Sequence, residues 1–131
     1  MPPHITLLYT YVPSARVDFA REVLSQGLRD ERKFVIRLTR RDMNSFDNCV
    51  WAAPKDRKGR LKSFHSLILA LLRGHGFKAE QTHNQFVPHA TLGYKDDAGK
   101  VDISGFRSHT TRVGQLQMWV DGHLDMVFNL I

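Results

Sequence analysis

The sequence predicts a pseudo-symmetric, two-lobed α+β fold. Three observations predict it. Apolar residues recur with period two in some stretches and near 3.6 in others, in the order β-α-β-β-α-β-loop-β-β. A heptad of the form Pro-His-x-Thr-Leu-x-Tyr occurs twice, at residues 3–9 and again at 88–94. No linker or low-complexity stretch interrupts the 131 residues, so one domain over 1–131 is expected. The heptad is too short for a solenoid repeat and fits two related lobes that face each other.

Each element has its own reason. Residues 4–12, "HITLLYTYV", are β-branched and aromatic, with Ile5, Leu7 and Tyr9 on one side and His4 and Thr6 on the other. Residues 14–28 read as a helix: Ser14 offers an N-cap, and Val17, Ala20, Leu24 and Leu28 keep the 3.6 period. Residues 33–41 read as a strand with Phe34, Ile36 and Leu38 inward and Val35, Arg37, Thr39 and Arg41 on the opposite face. Residues 48–53 give its neighbour, ended by Pro54. Residues 60–76 are the clearest helix, with Leu61, Phe64, Ile68 and Leu71 as a core stripe and Gly74 as the stop. Residues 85–94 return to strand, and 95–106 are polar and Gly-containing, hence a loop. Residues 115–131 form two apolar runs around "DGH", where Asp-Gly favours a tight hairpin.

Bulk properties bound the function. A chain of this length buries a core without disulfides or a structural metal. The single cysteine, Cys49, excludes an internal disulfide and a multi-cysteine zinc site, and fits a reducing, cytoplasmic compartment. No basic-then-apolar leader opens the sequence, and the longest apolar run, residues 67–72, is too short to cross a bilayer, so no membrane association is expected. A net charge of +6 suits a phosphate-bearing partner.

The chemistry lies in the repeat. Residues i and i+2 of a strand share a face, so His4 projects with Thr6 and His89 with Thr91. Facing strands would gather two imidazoles and two hydroxyls in one cleft. Imidazole titrates near neutrality, so one ring can take a proton from an attacking water while the other protonates the leaving oxygen. Threonine hydroxyls can donate to non-bridging phosphoryl oxygens. No metal or cofactor is required. From average residue usage, the double heptad arises by chance on the order of once in tens of thousands of such chains.

"PHITLLY" and "PHATLGY" resemble the paired His-x-Thr motifs of the two-histidine (2H) phosphoesterase superfamily, whose members include enzymes named 2′-5′ RNA ligases and cyclic nucleotide phosphodiesterases. "PPHITLLYTYVP" and "VPHATLGY" look particularly like the short bacterial and phage branch. The resemblance spans nearly the whole chain. It implies a bilobal fold with two antiparallel sheets facing a central groove and helices outside. It further implies that His4 and His89 are an acid–base pair and that Thr6 and Thr91 bind phosphate, without settling which histidine is the base. The substrates implied are 2′,3′-cyclic phosphates or 2′-5′ linkages in RNA 3′ ends or small nucleotides. The family usually places a strand before its first motif, whereas only Met1, Pro2 and Pro3 precede His4. Either the first lobe lacks that strand, or the sequence starts late, or another chain supplies it; an unpaired edge there would suit a monomer or a weak homodimer. A cyclic di- or oligonucleotide phosphodiesterase, or a nucleotide-binding module without turnover, would use the same four residues.

Other candidates carry two readings. Alternation places Tyr9 and Tyr94 with the core, with substrate contact as the second reading. Arg37, Thr39 and Arg41 line the groove or a solvated sheet face. Trp51, Phe86 and Trp119 offer stacking platforms, with core packing the commoner role. The five cations at Lys55, Arg57, Lys58, Arg60 and Lys62 read as a solvated loop and helix start, with an RNA-backbone patch as the alternative. His65, His75, His83, His109 and His123 lack ligand spacing, so no metal site is expected. No nucleophile elbow surrounds Ser63, Ser66 or Ser104, and no glycine loop is of Walker or Rossmann type.

Overall fold

The architecture, described by a computed structural model for residues 4–39, 43–46, 49–80, 86–94, 96 and 106–131, is α+β with antiparallel sheets. The helices are α1 (Val17–Leu28) and α2 (Arg60–Gly74). The strands among the described residues are β1 (Phe34–Leu38), β2 (Met43–Phe46), β3 (Cys49–Ala52), β4 (Ala90–Tyr94), β5 (His109–Val113), β6 (Gln115–Val120) and β7 (His123–Asn129). They pair as β1–β5, β2–β3–β4 and β6–β7. Two isolated antiparallel bridges, Arg37↔Lys55 and Ile5↔Ala90, extend these pairings. The first joins β1 to the chain beyond β3, and the second joins the first heptad to the second.

Helix α1 buries Ala20, Val23, Leu24 and Leu28. Ser14 does not cap it. A single 3₁₀ turn, Ser14–Arg16, leads in instead, with the Arg16 N–H donating to the Pro13 carbonyl at 2.8 Å. Arg16 then serves the other helix: its guanidinium donates to the His75 and Gly76 carbonyls and lies 4.2 Å from the Phe77 ring centroid. From the next turn, Arg21 grips Asp125 of β7 with two hydrogen bonds, at 2.5 and 2.9 Å, and also pairs with Asp18. That guanidinium holds the Asp125 carboxyl below its ordinary value of 3.8.

In α2 the buried stripe is Leu61, Phe64, His65, Leu69 and Leu72, while Ile68 and Leu71 are only half-buried. The expected stripe is therefore shifted around the helix. Its flank packs on α1 as well as on the sheet, and Leu71 sits against Gly27 of α1, where no Cβ intervenes. The start is fixed by the Leu61 N–H, which donates to Asp56 Oδ2 at 2.6 Å. The stop is Gly76 rather than Gly74. The Gly76 and Phe77 N–H groups bond back to the Arg73 and Leu72 carbonyls, a Schellman arrangement with Gly76 at φ +84°. An added Cβ would meet nothing nearer than the Arg16 guanidinium at 3.8 Å, so the demand is purely conformational. Gly76→Ala is expected to destabilise by about 1–2 kcal/mol, the strain of a left-handed L-residue, measured by urea denaturation.

The C-terminal hairpin forms where Asp121-Gly122 places it. Both residues have positive φ, 50° and 78°, the type I′ turn that matches strand twist. Two expectations are corrected. Residues 4–12 are not a strand, because among the described residues only Ile5 forms a backbone bridge. β2 and β5 are additional strands. β5 reads His-Thr-Thr-Arg-Val and exposes His109, Thr110 and Arg112, so it carries no alternating apolar signal. The loop over 95–106 lies largely outside the described residues. No helix among the described residues is long and apolar enough to cross a membrane.

Candidate functional site

The second heptad is the better anchored of the two. Ala90 opens β4 and pairs with Ala52; they are 6% and 0% exposed, which fixes that face of the sheet inward. Its neighbours therefore turn outward: His89 is exposed, and Thr91 lies opposite Trp51 of β3. His89 Nδ1 is 3.0 Å from the Val87 carbonyl, which can only accept, so Nδ1 carries the proton. In a neutral ring the lone pair is then on Nε2. The Trp51 ring meets the imidazole edge-on at 5.6 Å between centroids.

The first heptad is aligned to the second by one bridge. Ile5 pairs antiparallel with Ala90 and packs against the core, while His4 and Thr6 on either side are exposed. In the register this bridge sets, His4 stands beside Thr91 and Thr6 beside His89. Directly opposed side chains in such a pair have Cβ atoms about 5 Å apart. Each imidazole thus has the other heptad's hydroxyl as its neighbour, and all four groups share the outward face. The bridge thus sets the two heptads side by side in one layer.

A residue that periodicity alone does not reveal holds the first heptad. His65, buried on α2, places Nδ1 2.6 Å from the Leu7 carbonyl and stacks face to face on Phe86 at 4.2 Å. One imidazole thus contacts the chain just after the first motif and just before the second. Its Nε2 is buried with no hydrogen-bond partner among the described residues. The signal was a histidine at i+4 from Leu61 and i−4 from Leu69, inside an apolar stripe. His65→Phe keeps the volume and the stack but removes the donor. The lost hydrogen bond is offset by deleting the unpartnered nitrogen, so stability is expected to change by no more than about 1.5 kcal/mol. Amide exchange over residues 5–9 is expected to accelerate, and unchanged exchange there would remove His65 from this role.

The remaining candidates separate. Tyr9 and Tyr94 are 75% and 68% exposed, so the core-packing expectation fails for both. The chain leaves the sheet after Ile5, so alternation does not extend to Tyr9. Tyr94 stands opposite Cys49 at the end of β4, past the buried Ala90. Phe86 packs on His65 and the core, whereas Trp51 is half-buried beside His89. Trp119 lies at the irregularity of the β6–β7 hairpin, and its indole donates to Gln117 Oε1 at 2.9 Å. Arg37 is exposed at the bridge to Lys55, Thr39 is buried at 5% exposure, and Arg41 lies outside the described residues. No three His, Cys, Asp or Glu side chains among the described residues are grouped to hold a metal ion.

Comparison with known proteins bears on the family and the fold. The sequence model of the 2′-5′ RNA ligase superfamily matches residues 1–121. Two solved structures share the fold. One is described as the MHV ns2 PDE domain, with TM-score 0.59, 18% identity, 83% of this chain covered and 64% of that one. The other is described as a phosphoesterase, with TM-score 0.63, 18% identity, 98% of this chain covered and 77% of that one. This chain thus spans a little under two thirds of the first of these structures. Comparison with curated proteins gives no match.

Proposed function

The chain belongs to the 2′-5′ RNA ligase superfamily, a family of 2H phosphoesterases, and from that premise we propose that it is a metal-independent phosphodiesterase. In this reading His4 and His89 are the acid–base pair, and Thr6 and Thr91 bind the phosphoryl group. The bond cleaved is a 2′,3′-cyclic phosphate or a 2′-5′ linkage in an RNA 3′ end or a small nucleotide. A water attacks phosphorus and gives its proton to one neutral imidazole. The P–O bond to the leaving 2′ or 3′ oxygen breaks, and the other, protonated imidazole supplies that oxygen's proton. The two threonine hydroxyls donate to the non-bridging oxygens, where negative charge develops. The single observation that carries the reading is the Ile5↔Ala90 bridge, because it puts both imidazoles and both hydroxyls on one face. Trp51, beside His89, is positioned to contact the base or ribose next to the reacting phosphate. The chain is taken as one domain over residues 1–131, and its single cysteine suits a cytoplasmic protein.

The test is a panel of a nucleoside 2′,3′-cyclic phosphate, a 2′-5′-linked dinucleotide and a cyclic dinucleotide, assayed with and without EDTA. Opening of the cyclic phosphate to a monoester, unaffected by chelator, is the expected result. Turnover of the cyclic dinucleotide alone would move the protein to second-messenger degradation. Binding of a 2′-phosphate nucleotide without turnover of any substrate would make it a binding module.

A further inference from the structure

The strand that carries the second motif is irregular, and the irregularity changes what stands beside the motif. β3 and β4 pair Ala52 with Ala90 and Trp51 with Thr91, but the next pairs are Val50 with Gly93 and Cys49 with Tyr94. Leu92 is thus one residue more than β3 matches, a bulge. Strict alternation from the buried Ala90 would give Thr91 the outer face and Tyr94 the inner one. β3 has no extra residue, so Trp51 and Cys49 share the face opposite to the buried Ala52. Tyr94, paired with Cys49, therefore joins that outer face, and its 68% exposure agrees. Bulges next to active sites re-aim side chains, and this one sets Tyr94 on the face of Thr91 and Trp51.

The two sides of the Trp51 ring differ. His89 stands beside Ala53, two residues past Trp51, and takes one side edge-on at 5.6 Å between centroids. Tyr94 stands beside Cys49, two residues before Trp51, on the other side. Trp51 and Tyr94 are thus diagonal neighbours on one face, which lie about 7–8 Å apart. A flat ring held between two others needs two carbon contacts of about 3.5–4.0 Å each, which is the same span. The two rings do not stack on each other, and among the described residues no other ring packs on Tyr94. At its exposure Tyr94 adds little to the core, so packing does not account for an aromatic side chain there. The gap between the two rings adjoins Thr91, where the proposed reaction holds the phosphoryl group.

We propose that Trp51 and Tyr94 form a clamp for a nucleobase, which inserts between the two rings on the side of Trp51 away from His89 while its phosphate lies at the His-x-Thr pairs. This rests on the phosphodiesterase reading and deepens it, since it makes Tyr94 a residue that binds the base and takes no part in the proton transfers. Stacking accepts the flat face of any base, so the clamp requires a base without selecting strongly among them.

The experiment has a binding arm and a turnover arm, so that the two claims fail separately. Calorimetry measures the affinity of adenosine 2′-phosphate and of the same sugar phosphate with a methyl group in place of the base. The variants are Tyr94→Ala, Tyr94→Phe and, as a control on another exposed tyrosine, Tyr11→Ala. The clamp predicts at least about a 5-fold loss of adenosine 2′-phosphate affinity in Tyr94→Ala, the low end of one base–aromatic stack. Tyr94→Phe keeps the ring and stays within about twofold, as does Tyr11→Ala, and the base-free ligand binds Tyr94→Ala as it binds wild type. In Trp119→Phe protein, where Trp51 is the one remaining tryptophan, the nucleotide quenches fluorescence. With adenosine 2′,3′-cyclic phosphate as substrate, Tyr94→Ala raises KM by the same factor and leaves kcat nearly constant, because the base is held alike in ground and transition states. Unchanged nucleotide affinity in Tyr94→Ala would overturn the clamp, as would nucleotide binding without quenching of Trp51. An equal loss for the base-free ligand, or a loss in Tyr94→Phe that matches Tyr94→Ala, would make Tyr94 a phosphate or ribose contact and overturn it too. Base-dependent binding lost in Tyr94→Ala, by a protein that cleaves no cyclic phosphate, would support the clamp and overturn the phosphodiesterase.

Discussion

His89→Ala lowers turnover of a 2′,3′-cyclic nucleotide by at least about 10²-fold, the usual contribution of a general acid or base. The proposed reaction has two proton transfers, so His4→Ala falls by a similar factor. The two losses do not add in the double variant, because groups acting in one transition state are not independent. KM changes less than kcat for either histidine, since a proton in flight exists only in the transition state. Thr6→Val and Thr91→Val affect the same step through charge stabilisation and lose less each. His123→Ala, at the exposed start of β7, serves as the control and stays within about twofold. Near-wild-type turnover in both His4→Ala and His89→Ala would dismiss the acid–base pair. The check is initial-rate kinetics on purified variants whose thermal midpoints match wild type. That match is expected because His4 and His89 are both exposed.

Phe64→Ala has the largest effect expected on stability. Phe64 is 2% exposed and stacks on Phe34 at 5.4 Å between centroids, with the Arg60 guanidinium 4.9 Å away on its own ring. Truncation removes an aromatic side chain from a closed core and leaves a cavity, which costs about 3–5 kcal/mol. Domains of this size have about 5–15 kcal/mol in total, so a large share of the stability goes. The loss reaches the functional face through β1, because Phe34 and Ile36 anchor the strand that carries Arg37 outward. Urea denaturation reads the effect. A loss below about 1 kcal/mol would contradict the packing of α2 on β1.

What the sequence made legible was local. The double heptad, the apolar period of both helices and the Asp-Gly turn of the last hairpin each depend on residues near one another in the chain. What stayed hidden depends on partners far apart. His4 and Thr6 point outward as alternation requires, yet their segment is not a strand, since that needs a ladder and among the described residues only Ile5 has a bridge. Tyr9 and Tyr94 share the parity of core residues but lie beyond the covered part of the sheet, so parity misplaces them. His65 looks like a stray histidine until the Leu7 carbonyl, 58 positions away, is set against it. Lys55 is one cation in a basic run, and its backbone bonds to Arg37 are encoded by no spacing along the chain. Gly74 and Gly76 are equal candidates for a helix stop on paper, and only the left-handed φ separates them.

The most direct test of the account is the pH dependence of kcat/KM on a nucleoside 2′,3′-cyclic phosphate, measured for wild type, His4→Ala and His89→Ala. Catalysis by one neutral and one protonated imidazole predicts a bell-shaped profile, because the base must have lost its proton while the acid keeps its own. Each variant is predicted to lose one limb of that bell, and the limb lost identifies which histidine is base and which is acid. A wild-type profile without two limbs, or a bell that survives intact in both variants, would contradict the two-histidine mechanism.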